Sequence, residues 1–251
     1  MRRLPLLLGA AGVTLAVLAP VHDGADGRPA TRSMSFPSPE GATTSSTPGD
    51  IGYRLSMVNG QVIRWNPCRV ITYQVNTAGA TAGALADVQG AMARVASANG
   101  LSFRYLGPTA AIPQKSWQSS WPSNTGDIVV AWAYAGSGAG RSTLLPSSAV
   151  GEGGWTSTGT YTPSGSIVWQ IRHGFVVLNR ASNSALRPGF GAGQTRGELL
   201  LHEVGHTVGL QHTSATTQIL YTTLKARSTT AYGSGDLMGL RRVGRAAGCI
   251  A

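Results

Sequence analysis

The sequence predicts an α/β or α+β domain built on a mixed sheet, and three observations predict it. Residues 70–75 and 101–105 read as strands on either side of one helical pattern at 85–95. Further short apolar runs follow at 128–132, 167–169 and 175–178. The chain then finishes in helical segments. One strand–helix–strand unit, a run of strands and a helical finish give a sheet with both parallel and antiparallel neighbours.

Each element has a local reason. Residues 53–58 and 61–65 flank Asn59-Gly60, and Asn-Gly supplies the positive φ angles of a tight two-residue turn, so this stretch is expected to be a hairpin. Val70-Ile71-Thr72-Tyr73-Gln74-Val75 is rich in β-branched and aromatic residues, which suits a central strand. Leu85, Val88, Met92 and Val95 recur at helical spacing, and Asn99-Gly100 stops the helix. Leu101, Phe103 and Tyr105 alternate with polar neighbours, as in a half-buried strand. Residues 128–132 form an all-apolar strand, residues 136–165 are Gly- and Ser-rich with room for one edge strand, and 167–169 and 175–178 are two further strands.

Composition narrows the function. The chain has 251 residues with 20 basic and 10 acidic side chains, a net charge of +10 and a pI near 10.4. That balance favours anionic partners, including a cell-wall or surface polymer. The basic residues are scattered singly, and only Lys115 and Lys225 are lysines. Without a dense basic stripe or a recognition motif, no nucleic-acid partner is expected.

Met1-Arg2-Arg3 precedes an uncharged apolar stretch from Leu4 to Leu18, too short to span a bilayer comfortably and suited to export. Residues 1–22 are therefore expected to be a signal peptide, or an N-terminal anchor if uncleaved. Residues 23–50 are mostly Gly, Pro, Ser and Thr, the composition of a disordered linker or a pro-segment. The folded domain is expected to span 51–251, and the protein to be secreted. Cys68 and Cys249 are the only cysteines. In an oxidising compartment they are expected to form one disulfide joining the two ends of the domain. The alternative, a free Cys68 plugging a metal site, has no supporting motif around it.

One motif decides the chemistry. Residues 202–212 read His-Glu-Val-Gly-His-Thr-Val-Gly-Leu-Gln-His, the pattern H-E-x-x-H-x-x-G-x-x-H. His202 and His206 are four apart, so on a helix they share one face, a turn apart, and can reach one metal ion. Thr195-x-x-Glu198 is a capping box that starts the helix. Gly209 permits the left-handed conformation that ends it, and the chain can then turn back so that His212 supplies a third imidazole. Three neutral nitrogens favour zinc, with a fourth position left for water. Glu203, next to the first histidine, is placed to take a proton from that water. Five fixed positions including three histidines arise by chance in about one chain in 10⁵ of this length. His173 is expected to be a loop or strand-end residue.

These eleven residues resemble the metzincin zinc-protease signature, and the downstream spacing resembles the matrixin branch, particularly its small secreted bacterial members. Arg64-Trp65-Asn66-Pro67-Cys68, Gly126-Asp127-Ile128-Val129, Gly151-Glu152-Gly153-Gly154 and Gly235-Asp236-Leu237-Met238-Gly239-Leu240 fall where such proteins carry similar segments. The resemblance implies an α+β zincin-like fold: a twisted mixed sheet, an active-site helix and a small C-terminal subdomain ending in a helix. It implies a zinc endopeptidase in which His202, His206 and His212 hold one zinc ion and Glu203 is the catalytic general base. Peptide or protein would be the substrate, and the protein a monomer.

The sequence departs from that family once. Matrixins place a methionine eight residues after the third histidine, in a Leu-Met-Tyr-Pro turn, where this chain has Ile219-Leu220-Tyr221-Thr222. Leu220 keeps the apolar volume and is expected to floor the site, with Met238 as the other candidate. A secreted zinc-site binding module with little or no catalysis is the alternative reading.

Overall fold

In a computed structural model, two isolated dipeptides aside, the structure describes residues 52–161, 167–227 and 230–250. The expected signal or anchor segment and the linker lie outside these residues. The fold is α+β around one mixed sheet. In chain order the elements are β1 (Arg54–Leu55), β2 (Met57–Val58), β3 (Gln61–Val62), β4 (Val70–Asn76), α1 (Ala84–Asn99), β5 (Ser102–Pro108) and β6 (Ile128–Ala135). There follow β7 (Arg141–Ser142), β8 (Gly151–Tyr161), β9 (Ile167–Asn179), α2 (Arg196–Thr207), β10 (Leu210–Gln211) and α3 (Ser234–Val243).

The main sheet runs β8-β9-β6-β4-β5, with β7 added against β6. Its strands are parallel except that β8 pairs antiparallel with β9 and, on its other side, with the dipeptide Val13–Thr14 at Gly153 and Glu152. The β4–α1–β5 unit explains why β4 is central: a parallel neighbour needs a crossover, and α1 supplies it. α1 buries Val88, Ala91, Met92 and Val95 and ends at Gly100, whose φ is 71°. Behind the sheet a smaller cluster gathers Ala133, Leu144, Leu145, Ala149, Phe175 and Val177.

Two expectations need correcting. The runs at 167–169 and 175–178 are one strand, β9, thirteen residues long. Polar Gln170, Arg172 and His173 interrupt the apolar pattern because they line a cavity. His173 is accordingly a residue within the strand, paired with Thr156 and followed by a register shift between Thr156 and Ser157. The hairpin is also shorter than expected. Only β2 and β3 pair across Asn59-Gly60, with φ of 49° and 77°. β1 instead pairs with β10, and the Ser56 amide donates to the Gly209 carbonyl at 2.8 Å. The start of the folded part is thereby stitched to the chain just past α2.

The two ends meet as expected, Cys68 and Cys249 being disulfide-bonded with Cα atoms 5.5 Å apart. In the entropic account, a covalent closure of that length contributes about 4–5 kcal/mol. Among the described residues no helix is long and apolar enough to cross a membrane.

Candidate metal centre

Helix α2 is set deep in the molecule. Every residue from Arg196 to Thr207 is buried, because Leu199, Leu200, Leu201 and Val204 pack on several sides of it. The start is fixed twice. The Thr195 hydroxyl accepts from the Glu198 amide at 3.1 Å, and the buried Arg196 guanidinium donates to Asp87 of α1 at 2.7 Å. Only half of the expected capping box forms. The Glu198 carboxylate turns instead to Arg227, whose Nε donates to it at 2.6 Å. Burial raises the Glu198 pKa, and Arg227 opposes the rise.

Glycines bring the sheet edge down onto this helix. A Cβ at Gly153 would collide with the Glu203 backbone, and one at Gly151 would crowd the Glu203 carboxylate. The helix ends after Thr207, and Gly209 has a φ of 105°. A side chain there would also press the Ile63 carbonyl at 2.9 Å. The chain turns back through β10 and delivers His212 to the face that carries His202 and His206.

The three histidines predicted from the motif come together. Ligand-capable atoms of His202, His206 and His212 all lie within 4.8 Å of one another. The Nε2 of His202 is 2.9 Å from that of His206 and 3.2 Å from that of His212. Their tautomers follow from the far side of the rings. His202 Nδ1 meets the Ile219 carbonyl at 2.7 Å, and His206 Nδ1 meets the Leu210 carbonyl at 2.9 Å. A carbonyl only accepts, so both Nδ1 atoms carry hydrogens and both Nε2 atoms present lone pairs. Lone pairs aimed at one another this closely repel, and a cation between them relieves the repulsion. The donor set fits a borderline-soft ion such as zinc.

Burial reinforces the neutral form. It lowers the pKa of His202 well below the usual imidazole range, with His206 and His212 adding repulsion. It lowers His206 to about 4, and it lowers His212 strongly, again with His206 contributing. Neutral imidazole is the form that ligates metal.

Glu203 lies one residue along from His202 and is fully buried. Neither carboxylate oxygen makes a well-formed hydrogen bond among the described residues, although the Gly153 amide approaches. Burial pushes its pKa well above the carboxylate range, and the neighbouring Glu152 pushes it further.

No protein-family model and no curated protein matches the sequence. Among solved structures, the chain is similar to metalloproteinase-II from Bacteroides fragilis, with a TM-score of 0.38 and 12% identity over 73% of this chain and 57% of that one. It is also similar to myroilysin, with a TM-score of 0.31 and 11% identity over 72% of this chain and 82% of that one. The chain spans little more than half the length of the Bacteroides protein.

Leu220 is buried against α2, with Cδ2 2.9 Å from where a Cβ on Gly205 would stand. Met238 is 43% exposed on α3. The apolar floor under α2 is therefore Leu220. Two supporting residues escaped the sequence reading. Asp236 accepts from the amides of Ile219 at 2.6 Å, Leu220 at 3.2 Å and Gly233 at 3.0 Å. Its signal was present, an acid in the first turn of a helix after two glycines, but nothing local says that it also serves a turn sixteen residues upstream. Arg227 holds Glu198 and donates to the Gln218 carbonyl at 2.6 Å, and no sequence signal marks that role.

Proposed function

We propose that this protein is a metzincin-type zinc endopeptidase acting outside the cytoplasm as a monomer, on protein or peptide substrates. The observation that carries the reading is the convergence of three imidazole Nε2 atoms beside a buried carboxylate. His202, His206 and His212 would hold one zinc ion. When bound, the ion supplies Lewis-acid polarisation of the scissile carbonyl and lowers the pKa of a water. The Ile219 and Leu210 carbonyls fix two of the rings, so that Nε2 rather than Nδ1 faces the ion. Glu203 takes the proton of the attacking water on a carboxylate oxygen and passes it to the departing amine. The Cys68–Cys249 bridge supports an oxidising destination.

One observation favours a second reading, a secreted zinc-site binding module with little or no catalysis. His202 and Glu203 are 1% and 0% exposed, so a peptide reaches them only if the covering edge moves. A quenched-peptide or casein assay with and without chelator separates the two. Cleavage that chelator stops and zinc restores supports the peptidase. Zinc bound with no cleavage of any peptide in a broad library would leave the binding module.

A further inference from the structure

A cavity of about 620 Å³ opens beside the sheet, and none of His202, His206, His212 and Glu203 lines it. Its walls come from separate stretches of chain: the residues before β4, the turn at Lys115–Gln118, and the facing strands β8 and β9. The size suits a small ligand.

Its chemistry is specific. Trp121 stacks on His173, with ring centroids 4.7 Å apart and planes 5° from parallel, and Trp117 stands edge-on to Trp121 at 5.0 Å. Trp117 belongs to neither hydrophobic cluster. Gln170 and Thr158 add an amide and a hydroxyl. Arg69 lines the cavity and is exposed, and its guanidinium has no ion-pair partner among the described residues. The acid on the wall, Asp127, is already engaged, its Oδ2 accepting from the Thr72 amide and hydroxyl at 2.7 Å each. Burial lowers the His173 pKa, which Asp127 opposes and Arg172 reinforces, and Arg69 and Arg172 are the cations that line the cavity.

The geometry points to a second binding site, in which this cavity takes an acidic sugar residue of a glycan. The ring's apolar C–H face would lie on the Trp117 indole, its hydroxyls would meet Gln170 and Thr158, and its carboxylate would pair with Arg69. An extended peptide is a poor occupant. Through 170–173 β9 pairs with β8 on one side, and on the other Gln170 bridges to Arg64 and the Ile171 amide donates to the Arg64 carbonyl at 2.9 Å, so this stretch of β9 has little backbone ladder to offer. The site stands whether or not the metal centre hydrolyses peptides.

Titration of the full chain with trigalacturonate tests this, followed by tryptophan fluorescence and calorimetry, with cellotriose and uridine monophosphate as comparison ligands. Saturable binding of the uronate is expected, with a dissociation constant on the order of 1 mM or tighter and no change on adding chelator. Losing a charge-assisted contact or an aromatic platform costs roughly tenfold in affinity, so Arg69→Gln and Trp117→Ala should each weaken binding by about that factor. Both positions lie outside the core clusters, and an unchanged circular dichroism spectrum confirms an intact fold. Arg104→Gln, an exposed charge on β5, should leave affinity unchanged. Absence of binding overturns the proposal. So does equal binding of cellotriose, preference for the nucleotide, or equal loss in Arg104→Gln.

Discussion

His202 donates its Nδ1 hydrogen to the carbonyl of Ile219, seventeen residues further along the chain, at 2.7 Å. The amide of the same Ile219 donates to Asp236 at 2.6 Å. A carboxylate on α3 thus holds the turn whose carbonyl orients the first histidine. Hydrogen-bond partners of this kind fix ring orientation and raise imidazole basicity, and losing them commonly costs 10–100-fold in metal affinity.

Asp236→Asn should therefore weaken zinc binding although no ligand is touched. The amide group keeps one acceptor oxygen but sets an NH2 against a backbone N–H. A loss of about tenfold is expected in a competition titration against a chromophoric chelator. Unaltered affinity would show that the Ile219 turn holds its place without the carboxylate.

Glu203→Gln removes the proton acceptor while keeping the side chain's size. It should bind zinc as the native protein does and hydrolyse peptide at least about 10²-fold more slowly, the usual scale of a general base. Measured turnover near the native rate, with stoichiometric zinc, would take Glu203 out of the reaction.

The Glu198–Arg227 pair is nearly dry, with side chains 1% and 13% exposed. Removing one partner of a buried pair typically costs about 3–5 kcal/mol because the other is stranded. Arg227→Met should fall near the lower end, since Glu198 can neutralise itself by binding a proton. Glu198→Gln combined with Arg227→Met should recover part of the loss in urea unfolding. A single variant within about 0.5 kcal/mol of native, the range of ordinary surface substitutions, would mean the pair holds nothing together.

Acid should destabilise the metal-free protein through its histidines. His206 titrates at about 4 in the fold against the ordinary imidazole value of 6.5, so between those values the unfolded chain binds a proton that the folded one refuses. The stabilisation is intact above pH about 6.5 and is lost as pH falls towards 4, up to ~3 kcal/mol for this residue. His202 and His212, also lowered, act in the same direction. The raised pKa values of Glu198 and Glu203 act oppositely, favouring the fold at lower pH. Denaturant melts of chelated native protein and His206→Gln across pH 4–7 isolate the contribution. A native slope no steeper than that of the variant would contradict it.

The legible parts of this molecule are those written in local spacing. The i, i+4 histidines, the Thr195 cap, Gly100 and Asn59-Gly60 all sit where their own backbone geometry demands them, and the strand at β4 follows from its β-branched run. Other features depend on partners far away in sequence. β9 was hidden because Gln170, Arg172 and His173 face a cavity that only the fold creates. Glu198 read as half of a capping box, but an arginine 29 residues on outcompetes the helix terminus for its carboxylate. The full burial of Glu203 under Gly151 and Gly153 is likewise a property of two elements pressed together.

The same distant partners revise what removing the metal should do. From sequence, 213–217 has little to bury, and His212 looks like the only tether for everything up to Tyr221. The structure adds others: the Thr213 amide donates to the Leu220 carbonyl at 3.0 Å, Asp236 holds the amides of Ile219 and Leu220, and Arg227 holds the Gln218 carbonyl. Metal binding orders only what is not already positioned. Chelation should accordingly speed hydrogen exchange at 214–217, while the amides of Ile219 and Leu220 and those of β4 keep their protection. In chelated Asp236→Asn the protection at 219 and 220 should disappear as well. Loss at Ile219 in the chelated native protein would make the ion, rather than the carboxylate, the anchor of the turn, and loss throughout β4 would make the metal the keystone of the whole domain.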